Sequence, residues 1–252
     1  MPTAVILSMG MLNQRVNIDA FFGKMVGAAV AANAAFKLTK EITDKCFSLS
    51  ARFNRNEIAA DTFMQELTQE LQVVVKPEEF WKWWNDIVTV GSQIGQNLEE
   101  LNFFGRHHNC LLYFNTDINV VHLEMLQTEY NNNNVKLRVD TSPGLVANFP
   151  LYTTCQYHKN RYDLIKIIVY DIKEKQFNSP DRIGLVLGNP DNIKNEQLRT
   201  EEKKNLAQIS EWCQGEGVEI VLHNNSRPLM ETLEQAAPAP TAEQSKKNVM
   251  IA

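Results

Sequence analysis

Short polar stretches follow three apolar runs of the chain, and they hold the residues best suited to chemistry. These are Ser8, Gly10 and Asn13 after "AVIL", Asn115, Thr116 and Asp117 after "CLLYF", and Gly188, Asn189, Pro190 and Asp191 after "IGLVL". If the runs are parallel strands, their carboxyl ends meet at one sheet edge and the polar residues share a crevice. Serine becomes a nucleophile beside a base, and carboxylate oxygens are preferred by hard divalent cations. The first stretch has no carboxylate, so it lacks the simplest means of doing either.

Alternating strand and helix patterns would position these residues. The runs "TAVILSM", "NCLLYFN", "KLRVD", "RIGLVLGN" and "GVEIVLHN" are typical of strands buried on both faces. Helical spacing marks "NVVHLEMLQTEY", "RYDLIKIIVYDIKE", "KKNLAQISEWCQGEG" and "RPLMETLEQ". This order predicts an α/β fold with a Rossmann-like, doubly wound and mainly parallel sheet.

Residues 17–101 interrupt the alternation, because helical spacing runs through them without a convincing strand. Pro77 suits the first turn of one such helix. We therefore predict an all-helical cap at 17–101, inserted after strand one into a core formed by 1–16 and 102–235. The Ala/Pro-rich and then polar stretch 236–252 predicts a disordered tail.

Composition narrows the function classes. The 252 residues are 44% hydrophobic with a formal net charge of −5, and Lys and Arg are dispersed, which predicts no nucleic-acid surface. No apolar run approaches the roughly 20 residues of a membrane span, and the four cysteines are far apart. These features predict a cytoplasmic protein, and a secreted bacterial protein that uses its tail as an export or recognition signal is the alternative.

Several segments resemble the haloacid dehalogenase-like (HAD-like) superfamily, in its phosphatase branch with a small helical cap. "FNRNEIAADTFMQEL" followed by "EEFWKWWNDI" is similar to the cap, and "LLYFNTDINVVHLEML" is similar to the second strand, loop and helix. The resemblance implies a nucleophilic aspartate ending strand one and a second functional residue two positions later. It also implies a Ser or Thr and a Lys on the phosphoryl oxygens, and acidic residues after strand four that bind Mg²⁺.

This chain departs from that pattern at most of the positions that matter. In the order just given, they are occupied by Ser8, Gly10, Phe114, Lys159, and the pair Gly188 and Asn189. Only the lysine is kept, in "HKNRYDLI", and the nucleophile and the metal-binding acids are absent together. The resemblance therefore implies a catalytically inactive HAD-like protein without a metal cofactor, acting as a binding or regulatory module.

The residues left at the strand ends are candidates for ligand binding. They are Ser8, Asn115, Thr116, Lys159 and Asn189. An unpaired lysine in this pocket favours a small anionic ligand or a carboxylate on a protein partner. Cap-bearing relatives sometimes pair, so a homodimer is a further expectation.

Two carboxylates support an alternative, an active metal-dependent phosphatase or hydrolase with rearranged acids. Asp117 and Asp191 each lie within three residues of a lost position and could hold Mg²⁺, although helix capping also explains both. A new triad of Ser8 with His122 or His158 lacks a recognisable acid partner.

The remaining histidine and tryptophan side chains have structural interpretations. The pair in "RHHN" projects in different directions from a loop, so solvated histidines are expected there more than a metal site. We expect His122 to pack or cap its helix, and at least two of Trp81, Trp83 and Trp84 to enter the core of the cap.

Overall fold

The structure is a computed structural model that describes residues 3–12, 14–139, 141, 143–175, 180–193 and 196–238. Its strands are β1 (Thr3–Ser8), β2 (Gln14–Val16), β3 (Val88–Val90), β4 (Cys110–Thr116), β5 (Leu137–Arg138), β6 (Gly144–Val146), β7 (Phe149–Thr153), β8 (Arg182–Gly188) and β9 (Val218–His223). Its α-helices are α1 (Ile18–Ala32), α2 (Lys40–Asn54), α3 (Ala60–Glu70), α4 (Pro77–Asn85), α5 (Ile94–His107), α6 (Val120–Asn132), α7 (Thr154–Tyr157), α8 (Arg161–Lys175), α9 (Glu196–Glu216) and α10 (Leu229–Ala236).

The main sheet has the strand order β5-β6-β7-β4-β1-β8-β9. The five strands from β7 to β9 in that order are parallel, and β6 and β5 continue the sheet in antiparallel pairs. With helices on both faces, this is the Rossmann-like, mainly parallel sheet that the sequence predicts. The register pairs Ser8 with Asn115 and Gly188 with His223, so the strand ends meet at one edge as expected.

Alternating residues of the central strands enter two different cores. Ala4 and Ile6 of β1 pack with α8 and α9, whereas Val5 and Leu7 face the core shared with the cap. Since side chains alternate along a strand, Ser8 continues the face of Ile6, on the side of α8 and α9. Its register partner Asn115 lies on the same face.

Helices α1–α4, here called the cap, lie between the strands β2 and β3, which form a small antiparallel sheet of their own. An aromatic cluster holds the cap together; Phe53 stacks on Phe63 at 4.5 Å between centroids, and Trp84 contacts Phe21 at 4.9 Å. Such pairs add about 0.5–1.5 kcal/mol each beyond the area that they bury. The prediction of helices alone in 17–101 was wrong at β3, because three residues are too few to show a strand period.

Two boundaries differ from the sequence predictions. Helix α5 runs across position 101/102, and its buried Leu98, Leu101 and Phe104 form one continuous apolar face on the β4 side. The predicted tail starts too early, because Ala236 ends α10 and both it and Ala237 are fully buried. Residues 239–252 lie outside the described ranges.

The strands β6 and β7 were not predicted. β6 has only three residues, and β7 contains Pro150, which lowers the strand signal. Within the described ranges, no helix has the length and apolar character needed to cross a membrane.

Candidate functional site

The strand-tip site, defined as Ser8, Asn115, Gly188 and Asn189, stands where the family resemblance implies catalysis. Ser8 ends β1, and its Oγ accepts a hydrogen bond from Gly10 N at 3.3 Å, which caps a short 3-10 turn. This hydroxyl serves the local backbone, and no histidine ring bonds to it among the described residues.

Asn115 is the unusual member of this site. Its side chain is fully buried, and neither the amide nitrogen nor its oxygen has a hydrogen-bond partner. An unpaired buried amide costs about 1–3 kcal/mol. The preceding residue Phe114, at the position where the family has Ser or Thr, is a core side chain packed edge-on against Phe149 at 5.4 Å. A hydroxyl for phosphoryl oxygens is therefore missing there.

The end of β8 is equally neutral. A Cβ added at Gly188 would meet no atom within 4 Å, so the position where the family has an acid is open space. Asn189 accepts a bond from Asp191 N at 3.0 Å through Oδ1, and its own N–H donates to His223 O. A hydroxyl, a glycine and a capping amide do not make the carboxylate set that Mg²⁺ requires. The strand-tip site does not fit the family's metal.

The side chains of two further candidates, Asp191 and Lys159, form no hydrogen bond or ion pair with the strand-tip site among the described residues. Asp191 is largely exposed and forms a 2.7 Å ion pair with Lys203 of α9. Lys159 follows α7; its backbone N–H bonds to Thr154 O, and its exposed side chain makes no hydrogen bond or ion pair with the described residues.

Asp117 has a different environment from Asp191. Its Oδ1 accepts the hydroxyl of Thr154 at 3.0 Å, and the same hydroxyl lies 3.2 Å from the backbone oxygen of Asn54, at the end of cap helix α2. Crowding by protein atoms raises the pKa of Asp117, although Thr154, Arg161 and Arg55 each act to lower it. The capping interpretation was wrong, because Asn119 caps α6 by accepting His122 N at 2.9 Å.

A chain of hydrogen bonds links Asn54 of the cap, through Asn119 and His122 of the core, to Trp84 of the cap. Asn119 Nδ2 lies 3.1 Å from Asn54 Oδ1 and 3.0 Å from His122 Nδ1. The other ring nitrogen of His122, Nε2, donates to Trp84 O at 2.9 Å, and the two rings stack at 5.1 Å. We call this set, with Asp117 and Thr154, the cap–core seam.

Burial fixes the charge state of the seam histidine. His122 is 4% exposed, and desolvation lowers its pKa to about 4, while the bond to Trp84 O opposes the shift. The ring is therefore neutral at pH 7, with Nε2 protonated and Nδ1 accepting from Asn119. As expected from the sequence, His122 packs and holds structure; it is not a general base.

Asp117 opens into a cleft of about 470 Å³ between the cap helix α2 and the core helices α8 and α9. Its lining consists of Ala51, Arg55, Asp117, Asn160, Arg161, Tyr162, Asp163, Lys166, Glu201, Glu202, Asn205, Gln208 and Ile209. A volume of this order suits a small molecule. None of the residues that line the cleft belongs to the strand-tip site. The charged side chains of the cleft therefore lie outside the site that the family resemblance implies.

Arg161 dominates the α8 side of the cleft. Its Nη1 donates to Glu202 Oε1 at 3.0 Å, while its Nε is buried and has no hydrogen-bond partner. At the neighbouring Tyr162, desolvation first, then the carboxylate of Glu202, raises the pKa of the phenol. Arg55, across the cleft, donates to both carboxylate oxygens of Glu57 at 2.6 and 3.0 Å.

Sequence reasoning missed Asn54, Arg55, Thr154 and Arg161. Arg161 stands in "HKNRYDLI", two residues after the lysine position, so its departure from the resembled pattern was the available signal. The others are single polar residues in helical segments, and only tertiary structure brings them to Asp117.

The remaining aromatic and histidine predictions are settled by contacts. Trp84 is buried and Trp81 contacts Phe80 at 5.0 Å, so two tryptophans do enter the core of the cap. His108 is not a solvated loop residue: its ring stacks on Phe104, and Nδ1 lies 2.8 Å from Ala237 O. Within the described ranges, no three His, Cys, Asp or Glu side chains cluster as metal ligands would.

Comparison with known proteins gives the fold its relatives. No protein-family model and no curated protein matches the chain. Among solved structures, a predicted HAD-like family hydrolase from Porphyromonas gingivalis matches with a TM-score of 0.57 at 11% identity, over 95% of this chain and 99% of that one. A HAD family enzyme from Bacteroides thetaiotaomicron, in complex with magnesium and inorganic phosphate, matches with a TM-score of 0.52 at 9% identity, over 92% and 98%. The chain has the HAD-like α/β fold.

Proposed function

We propose that this chain is a catalytically inactive HAD-like protein that acts as a binding or regulatory module. One observation carries the proposal: every polar group at the strand-tip site is neutral. Ser8 and Asn189 each cap a turn, and Gly188 leaves open space where an acid would stand. Phospho-aspartate chemistry needs a carboxylate nucleophile, and the metal needs charged oxygen ligands.

The intact cap and cleft support binding as the function that is kept. The seam ties α2 and α4 to the core through side chains that are distant in sequence, and it places the cleft beside them. The proposed partner class is a small anionic ligand or a protein partner, and a homodimer is compatible with either.

The test is hydrolysis. Purified protein with Mg²⁺ is assayed against sugar phosphates, nucleotides and p-nitrophenyl phosphate, in parallel with Ser8→Ala. We expect the same background rate from both proteins. Turnover that Ser8→Ala or Asp117→Asn abolishes would contradict the proposal.

One observation favours a second candidate, a hydrolase that uses Asp117 as its acid or metal ligand. Asp117 opens into a cleft with Arg161 and Arg55, and crowding raises its pKa, as for a carboxyl acting in proton transfer. Asp191 has no such support, because it pairs with Lys203 at the surface. Metal-dependent turnover lost in Asp117→Asn but kept in Ser8→Ala would select this candidate.

A further inference from the structure

The cleft between α2, α8 and α9 carries both signs of charge. Its cations are Arg55, Arg161 and Lys166, and its anions are Asp117, Asp163, Glu201 and Glu202. Lys166 is neutralised by Asp163 at 3.1 Å, and Arg55 by Glu57. Arg161 pairs with Glu202 at 3.0 Å through Nη1 alone, and Asp117 forms no direct ion pair with the described residues.

Arg161 offers a hydrogen-bond donor. The Nε–H is buried and unpartnered, while Nη1 is held by Glu202, so the guanidinium is fixed in place. A buried donor to which nothing bonds is costly, and an arginine donor matches the geometry of a carboxylate. The Arg161 side chain lines the cleft and is 26% exposed, so its guanidinium presents a fixed position for an anionic oxygen.

Asp117 offers the opposite property. Its carboxyl is accessible from the cleft, and the hydrogen bond from the Thr154 hydroxyl holds it from the seam side. No cation forms a direct ion pair with Asp117 among the described residues. A positively charged donor entering the cleft would supply that pair.

We propose that this cleft binds a small zwitterion of the α-amino-acid type, with its carboxylate on Arg161 and its ammonium on Asp117. The inference rests on the proposed function, because it names the ligand class of the binding module. A cleft of about 470 Å³ holds such a molecule with room for a side chain.

Ligands with one sign of charge fit less well. A phosphate or dicarboxylate would face Asp117 and Glu201 without compensation, and a simple amine would face Arg161. Only a ligand with both charges can pair with Arg161 and with Asp117.

The test is calorimetric titration of the full chain with each standard L-amino acid, with the matching N-acetyl and C-terminal amide forms, and with inorganic phosphate. We expect at least one free amino acid to bind, and each blocked form to bind about tenfold or more weakly, as for loss of one charged hydrogen bond. Asp117→Asn and Arg161→Lys should each weaken binding by a similar factor.

Matched substitutions outside the cleft provide the controls. Asp86→Asn removes an exposed carboxylate paired with Lys24, and Arg182→Lys alters a surface arginine paired with Glu219, so both should bind like the wild type. Failure of every amino acid to bind, or binding that ignores Asp117→Asn and Arg161→Lys, overturns the inference. If inorganic phosphate alone binds, the ligand class is wrong while the binding module stands. Turnover of phosphate esters, by contrast, would overturn the proposed function itself.

Discussion

The strand-tip site and the cap–core seam lie near the same sheet edge but use their polar groups differently. At the strand tips, the side chains of Ser8 and Asn189 accept bonds from backbone N–H groups two residues away, and the side chain of Asn115 has no hydrogen-bond partner. In the seam, the bonded side chains are 37 to 65 residues apart in sequence for the pairs Thr154–Asp117 and Asn119–Asn54. Local bonds finish a turn, whereas distant bonds hold separate elements in one arrangement. The comparison shows that side-chain bonds between separate elements lie beside the cleft and not at the strand-tip site.

Removing the largest side chain of the seam should have the greatest effect. Trp84→Ala deletes a ring that is 2% exposed and packs on Phe21, Phe63 and His122, so we expect a loss of about 3–5 kcal/mol of unfolding free energy. Ser8→Ala should cost about 1 kcal/mol or less, the value of one cap. Urea denaturation of both variants measures the difference, and equal losses would remove the distinction between the two regions.

Lowering the pH should reduce the free energy of unfolding first through His122 of the cap–core seam. The pKa of His122 is about 4 in the fold and 6.5 ordinarily, so the neutral ring stabilises the fold fully above pH 6.5. That contribution, about 3 kcal/mol, is lost as the pH falls from 6.5 to 4, because the unfolded chain takes up the proton first.

The pH effect is measured by urea denaturation of the wild type and His122→Gln at several pH values. The variant should start less stable and show a flatter pH dependence over that interval. The exposed His107→Gln serves as the control and should follow the wild type. An unchanged slope in His122→Gln would exclude His122 as the source.

Apolar replacement should distinguish the two buried amides. Asn115→Leu removes an amide without partners and is expected to leave stability unchanged or raise it by about 1 kcal/mol. Asn119→Leu removes bonds to Asn54 and His122 and should cost about 2–3 kcal/mol. Thermal denaturation compares them, and a large loss in Asn115→Leu would show that Asn115 has a partner in solution.

The smallest expected change comes from Asp117. Its pKa is raised in the fold, so the ionised carboxylate opposes folding at neutral pH, and this penalty disappears as the pH falls through the folded pKa towards the ordinary value. Asp117→Asn should therefore raise the melting temperature slightly at pH 7 and not at low pH. A lower melting temperature at pH 7 would mean that the hydrogen bond from Thr154 outweighs the desolvation.

Much of the fold could be predicted from the sequence because its strands are strongly patterned. β1 and β8 are buried on both faces except at their two end positions, and β4 except at Leu111, so their apolar runs are continuous. The strands β2, β3, β5 and β6 have only two or three residues each, too few to show an alternation of apolar and polar side chains. Their pairing also depends on neighbours that are distant in sequence. The helical cap was visible because α2, α3 and α4 each have an apolar face of buried or half-buried positions.

The site was predicted less completely. The absence of carboxylates at positions 8 and 188 is evident from the residue types alone, and Ser8 and Asn115 do pair in the sheet as strand ends should. The cleft could not be predicted, since it depends on Arg55 of the cap, Asp117 after β4 and Arg161 of α8 meeting in space. For Asp191, the sequence suggested a Mg²⁺ ligand or a helix cap. Its ion pair with Lys203 was not predicted, because that lysine lies on the next helix.

The central claim is that the strand-tip site has lost its ability to hold a divalent cation. Calorimetric titration with Mg²⁺ tests it on the wild type and on the triple variant Ser8→Asp/Gly188→Asp/Asn189→Asp, where the open space beside Gly188 admits the new side chain. We predict no saturable binding to the wild type and measurable binding to the variant, because only the variant supplies carboxylate ligands. Saturable Mg²⁺ binding to the wild type that Ser8→Ala or Asn189→Ala abolishes would contradict the account.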